Sequence, residues 1–401
     1  MWLTLFFEVP VQVTQQPFGS RFGLDEIEAV IRVMKSGRVS GLTSDGEVDA
    51  FATEFAEHCG VRFALPVNGA CNALSIGTHL VNLKPGDEVV TNPITYIATA
   101  IYPLKSGATI RFAETNPDTL NIDEDSIEPL INERTRALYV SSYEGYVPDM
   151  ERLRSIADEH GLKFVFDAAR CAGGQFRDKH IAQYADVTAF SFQEQKNMAT
   201  CDGGALVLRN EVPVEWTRKA TQLRNVRGTG EIIGENFRMD ELRAAIGRTQ
   251  LPKLAAMNDE RRAIAARYNE GLSDLPAIQP VKVTGDHDHV YHWYVARLET
   301  SAINADTEIM TRPLAGATRN PTPSEAFSFL MCEQGVDMPT HNQPVYHYEP
   351  FTLRGYGHGL CPVSERMWRN EIFRLPLNLD ITHDEVDHVV DAAHASIAKL
   401  S

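Results

Sequence analysis

Residues 149–170 read DMERLRSIADEHGLKFVFDAAR. The first half places Met150, Leu153, Ile156 and Ala157 at helical spacing on one face. The second half, LKFVFD, is a short β-rich run that stops on an aspartate, Asp167. A helix handing over to an apolar strand is the repeating unit of a parallel sheet. The same alternation extends outward in both directions. Between Val61 and Leu208 the β-rich runs are VRFALPV, DEVVT, ATIRF, RALYVSS, LKFVFD, DVTAFSF and GGALVL, and helical stretches such as NALSIGTHLVNL lie between most of them. The reading is an α/β chain with a mostly parallel seven-stranded sheet covered by helices on both faces. Ligands of such sheets sit beyond the carboxyl ends of the strands, so residues just after strands carry the chemistry.

A chain of 401 residues exceeds what one core usually holds. The pattern divides it into an N-terminal arm (1–20), a large cofactor-binding domain (21–273) and a smaller α+β C-terminal domain (274–401). A long helical pattern follows Met239, and Pro252 inside it predicts a kink or break, because proline lacks the N–H and its ring clashes with the preceding turn. HVYHWYVARL, residues 289–298, reads as a strand. The net charge of −16 argues against nucleic acid or an anionic membrane surface as a partner. Six cysteines form no C-x-x-C pair and no zinc spacing, which fits reduced thiols in a cytoplasmic protein. The start, MWLTLFFEVPVQV, is apolar but short, lacks a positive leading region and is interrupted by Glu8, so an arm is expected rather than a signal peptide. No apolar run has the length of a membrane span.

Three features fall at strand ends. Asp167 closes LKFVFD. Asn68-Gly69-Ala70 opens a helix whose first N–H groups can meet an anion. In AFSFQEQKNMATCDGG, residues 189–204, Ser191 ends a strand and a single lysine, Lys196, is followed by small residues. Each feature alone is common in soluble proteins. Together, on one rim of one sheet, they are what pyridoxal 5'-phosphate needs: a lysine for its aldehyde, a carboxylate for its pyridine nitrogen, and a helix start with a hydroxyl for its phosphate. No metal is expected at this centre.

The chain resembles the DegT/DnrJ/EryC1/StrS family of pyridoxal-phosphate sugar aminotransferases, of fold type I, from about Phe18 to Lys399. The resemblance is carried by SGRVSG near residue 37, LKPGDEVVTNPITYIATA, VPDMERLRSIADEHGLKFVFDAAR, AFSFQEQKNMATCDGGAL, ENFRMDELRAAIGRTQLPKL and CPVSERMWRNEIFRLPLNLDIT, all in family order. It implies that Lys196 is the Schiff-base lysine, Asp167 the pyridinium partner, Ser191 a phosphate ligand and Tyr96 the aromatic stacked on the cofactor. It implies that Gly69 and Ala70 cradle the phosphate, and that Asn236 reaches the phosphate of a partner subunit in a homodimer with shared active sites. The implied reaction moves an amino group from glutamate or glutamine to a nucleotide-linked keto sugar or a keto-cyclitol. His341, in the loop MPTHNQPVYHYEPF, is a candidate substrate contact.

The chain also departs from the family pattern. Asn68-Gly69-Ala70 stands where Ser-Gly-Thr is usual, so a phosphate-binding hydroxyl is missing. Ser142 takes the place of a histidine. Asp202-Gly203-Gly204 stands for Glu-Gly-Gly and keeps its charge. Arg170 stands where His or Gln is usual, either as a cation beside the cofactor's phenolic oxygen or as the partner of an ion pair; both readings stay open at this point. A sister group with histidine in place of the lysine dehydrates its substrate, and Lys196 excludes that route. Another pyridoxal-phosphate reaction on the same scaffold, elimination or aromatising dehydration, stays open.

Overall fold

The computed structural model describes residues 13, 21–42, 45–225, 232–314 and 317–401. The N-terminal arm lies outside the described residues except for Val13, which pairs with Val336 and is buried in the C-terminal core. The strands are β1 (Phe63–Val67), β2 (Glu88–Thr91), β3 (Thr109–Phe112), β4 (Thr135–Ser141), β5 (Lys163–Asp167), β6 (Gln175–Phe176), β7 (Lys179–His180), β8 (Val187–Ser191), β9 (Gly204–Leu208), β10 (Ile278–Pro280), β11 (Tyr294–Leu298) and β12 (Ile372–Leu375).

The expected seven-stranded sheet is present, in the order β1-β9-β8-β5-β4-β2-β3. Its neighbours pair in parallel from β3 through β8, while β9 runs antiparallel to both β8 and β1. The period-two alternation of strand side chains explains its two cores. Leu138, Val140, Phe164, Phe166 and Phe190 point to one face, where Met150, Leu153, Ile156 and Ala157 of helix Met150–Glu159 cover them. Tyr139, Val165, Val187, Ala189 and Leu206 point to the other, under helix Ala70–Val81. Strands buried on both faces read as continuous apolar runs, which is how they announce themselves in the sequence.

A second sheet, β10-β11-β12, is antiparallel and packs with helices Pro323–Glu333 and His383–Leu400 around a separate core. The helix expected after Met239 breaks at Pro252 as anticipated: Glu241–Gln250 and Leu254–Gly271 are joined by a short 3₁₀ turn over Leu251–Lys253. The second of these helices links the cores, with Leu254 in the first and Ala265 and Tyr268 in the third. The strand expected over 289–298 is only half formed. β11 begins at Tyr294, because the backbone before it pairs with the segment after β4 instead: Val290 N–H donates to Gly145 O (2.9 Å) and His292 N–H to Glu144 O (3.0 Å). That pairing carries His292 and Trp293 to the edge of the large sheet.

Candidate active site

Beyond the carboxyl ends of β5 and β8 lies a cavity of about 730 Å³, large enough for a cofactor and part of a substrate. Asp167, Ser191, Lys196, Tyr96, Gly69, Ala70 and Arg170 all line it. Local structure explains each position.

Asp167 is the last residue of β5 and is buried. Its Oδ2 accepts a hydrogen bond from Thr99 Oγ1 (2.7 Å) and its Oδ1 from Ala169 N–H (3.1 Å). Thr99 is held in turn by a buried relay: Asn92 Nδ2 donates to Ser141 Oγ (2.9 Å), Ser141 Oγ to Thr95 Oγ1 (2.6 Å), and the Thr95 and Thr99 hydroxyls lie 3.0 Å apart. Burial pushes the Asp167 carboxyl above the usual carboxylate range; the Thr99 and Ala169 bonds and the Lys196 and Arg170 charges pull it back.

Lys196 sits in the turn between β8 and β9, a strand reversal that the backbone holds tightly. Its N–H donates to Gln193 O (2.8 Å), and Thr200 N–H donates to Phe192 O (2.8 Å). The neighbouring Asn197 amide donates to Asn258 Oδ1 (2.8 Å) and Val290 O (2.7 Å). Burial first, and then the Arg170 charge, lower the Lys196 amine to about 7, against the opposing pull of Glu144 and Asp167. A lysine that is neutral near physiological pH is a nucleophile and a proton carrier rather than a solvated cation.

The crowd of small residues after Lys196 has a steric cause. β9 begins directly against the start of helix Ala70–Val81, and a Cβ on Gly204 would lie 2.6 Å from Ala70 N and 2.7 Å from the Gly69 carbonyl carbon. A Cβ on Gly203, whose φ is +154°, would lie 2.4 Å from Thr200 Oγ1. No described side chain caps this helix start, so its first N–H groups are presented to the cavity, with Ser191 beside them at the end of β8.

Arg170 resolves to the ion pair without leaving the cavity. Its Nη1 donates to Glu144 Oε1 at 2.5 Å while its side chain still forms part of the wall. Glu144 is fully buried and is also bonded by Arg374, which extends from β12 and holds Thr340 O as well. Glu144, Arg374 and His292 were not anticipated from the sequence. An arginine inside the otherwise apolar strand IFRL was the available signal for Arg374. Burial, with the nearby Arg170 charge, keeps His292 well below the usual histidine range, so its ring is neutral.

Two other expected positions lie off this cavity, and a third, Asn236, is the one expected in a partner subunit's site. His341 turns behind the wall, its Nε2 bonded to Trp368 O (2.8 Å), while its neighbours Thr340 and Asn342 line the cavity. Ser142 is buried and donates to Tyr146 O (2.8 Å). Asn236 is exposed and outside its own chain's cavity; its carbonyl accepts from Asn68 Nδ2 (3.2 Å).

These residues fit pyridoxal phosphate. A glycine-walled helix start and Ser191 would hold its phosphate, Asp167 its ring nitrogen, Tyr96 a face of its ring, and Lys196 its aldehyde. When bound, it supplies an electron sink for the substrate's amine-bearing carbon. Asp167, dry and hydrogen-bonded, would then hold a proton at the ring nitrogen, and Lys196 would carry a proton to and from the reacting carbon.

A type I aminotransferase sheet with this constellation at its strand ends defines a class of enzyme, and comparison with known proteins narrows it. Residues 21–394 match the model of the DegT/DnrJ/EryC1/StrS aminotransferase family, and the chain belongs to that family of pyridoxal-phosphate-dependent enzymes. It is 32% identical over 370 residues to the dTDP-3-amino-3,4,6-trideoxy-alpha-D-glucose transaminase of Streptomyces venezuelae, covering 91% of this chain and 90% of the relative. It is 30% identical over 387 residues to the spore coat polysaccharide biosynthesis protein SpsC of Bacillus subtilis, covering 92% and 94%. Among solved structures, S. venezuelae DesV superposes with a TM-score of 0.81 at 31% identity, covering 92% of this chain and 94% of that one. The aminotransferase TlmJ of Streptoalloteichus hindustanus superposes with a TM-score of 0.83 at 26% identity, covering 96% and 99%.

Proposed function

We propose that this enzyme transfers an amino group from glutamate or glutamine to the keto group of a nucleotide-linked keto sugar or a keto-cyclitol, in the biosynthesis of an amino sugar or aminocyclitol. The observation that carries the reading is the convergence of Lys196, Asp167, Ser191 and the uncapped helix start on one cavity, in a chain whose relatives include dTDP-amino sugar transaminases. The cavity extends past the cofactor residues to Trp293, Asn342 and Arg374, polar and aromatic groups suited to a hydroxylated acceptor. The test loads the enzyme with pyridoxal phosphate and supplies glutamate or glutamine. It then offers keto sugars and keto-cyclitols, with products read by mass spectrometry. Release of the keto acid and gain of one amine on the acceptor supports the reading. A dehydrated aromatic product would assign the enzyme to the other branch.

The working unit of this reading is a homodimer, with Asn236 of one chain completing the phosphate site of the other. Helix Leu24–Ser36 supports it, since Leu24, Ile27, Ile31 and Met34 recur at helical spacing and all are exposed. A cytoplasmic location is part of the same reading, on six cysteines with no disulfide between them. Among the described residues no helix is long and apolar enough to cross a membrane.

A further inference from the structure

Away from the cavity, His347, His358 and Glu365 bring one ligand atom each within 4.8 Å of one another. The two imidazole rings lie 4.0 Å apart between centroids. His347 Nε2 is 3.7 Å from Glu365 Oε1, and His358 Nδ1 is 3.7 Å from Glu365 Oε2. The His347 side chain is only 7% exposed, and its Nε2 is buried without a hydrogen-bond partner, since 3.7 Å is too long for one. A buried polar nitrogen with nothing to bond is costly and calls for an occupant.

We infer that His347, His358 and Glu365 form a site for a divalent transition metal of the zinc type. Two imidazoles and a carboxylate are a zinc donor set, with a fourth position left for water. The nitrogen donors disfavour calcium and magnesium. Tetrahedral bonds of about 2.0–2.1 Å require ligand atoms about 3.4 Å apart, so the two 3.7 Å pairs close slightly and the widest separation, within 4.8 Å, closes further. His358, 80% exposed and on a loop, is placed to move in. Glu365 is already oriented from behind, its Oε1 accepting from Tyr346 Oη (2.8 Å) and Gly359 N–H (2.7 Å), as the carboxylate ligands of metal sites usually are. The ion would fasten the 344–361 segment to helix Pro362–Asn370. That segment bridges Ile94 through Pro344, and Val345 N–H donates to Pro93 O (2.8 Å), next to the loop that carries Tyr96. The metal is therefore structural and steadies one rim of the cavity from outside.

The experiment uses the full-length, cofactor-loaded protein after chelation. Zinc binding is followed by equilibrium dialysis, and cobalt binding by its visible absorption. One zinc per chain at micromolar concentration is expected, with a four-coordinate cobalt spectrum. His358→Ala, which removes an exposed ring, and Glu365→Gln should each weaken binding by more than the roughly 10–100-fold that follows loss of an outer partner. Zinc should slow hydrogen exchange of residues 345–361 in the wild type and not in His358→Ala. Absence of micromolar zinc binding in the wild type, or binding unchanged in both variants, overturns the site.

Discussion

Two residues carry the argument for chemistry at Lys196, and both are testable one at a time. The amine is lowered to about 7 in the folded protein by burial, and lysine in an unfolded chain titrates in its ordinary range. Between those values the unfolded chain binds more protons, so stability must rise with pH across that window. Lys196→Ala removes the group. In cofactor-free protein, denaturant midpoints of wild type relative to Lys196→Ala should climb as pH rises above about 7, while below it their difference should not vary with pH. The variant should stay folded by circular dichroism and lose amino transfer by at least about 10²-fold, the usual contribution of a positioned proton carrier. Arg170 is the second residue. Its charge helps to hold the lysine down, and its removal leaves Glu144, which pulls the other way. Arg170→Gln should therefore move the Lys196 titration to higher pH, measured by the pH dependence of lysine modification in cofactor-free protein. An unmoved titration would mean that the Arg170–Glu144 pair is electrically silent at the lysine.

At the scale of elements, the decisive contact is between a strand and a helix start. β9 can return beside β8 only because Gly204 lets its backbone touch Ala70, and that contact leaves the helix N-terminus facing the cavity. Gly204→Ala places a methyl group 2.6 Å from Ala70 N, where backbone rather than a flexible side chain must yield. A loss of about 1–3 kcal/mol in stability is expected from such overpacking. Because the displaced element is the phosphate cradle, cofactor affinity should fall together with the denaturant midpoint. A variant that loses stability but binds pyridoxal phosphate normally would separate the contact from the cradle.

The whole molecule carries its prediction on an outer surface. Leu24, Ile27, Ile31 and Met34 expose an apolar stripe on one helix. A stripe of this kind is costly in water and inexpensive against a second copy. Light scattering should give twice the mass of one chain. Ile27→Glu combined with Ile31→Glu should yield a folded monomer with weakened cofactor binding, because each site would lose the Asn236 of its partner. A fully active monomer would remove the shared-site reading.

The sequence by itself determined the large sheet, the break at Pro252 and the placing of Asp167, Ser191 and Lys196 at strand ends. These rest on local patterns: apolar runs of strand length, a residue with no N–H, and side chains at fixed offsets from a run. Only the tertiary structure decided the rest. Glu144, Arg170 and Arg374 meet from three distant segments, and no spacing along the chain encodes that meeting. His292 reaches the cavity because its backbone pairs across to Glu144 rather than extending β11. His341 turns away while Thr340 and Asn342 turn in. An irregular loop has no period, so which side chain faces a cavity is set by the surfaces it lies between, and those exist only after folding.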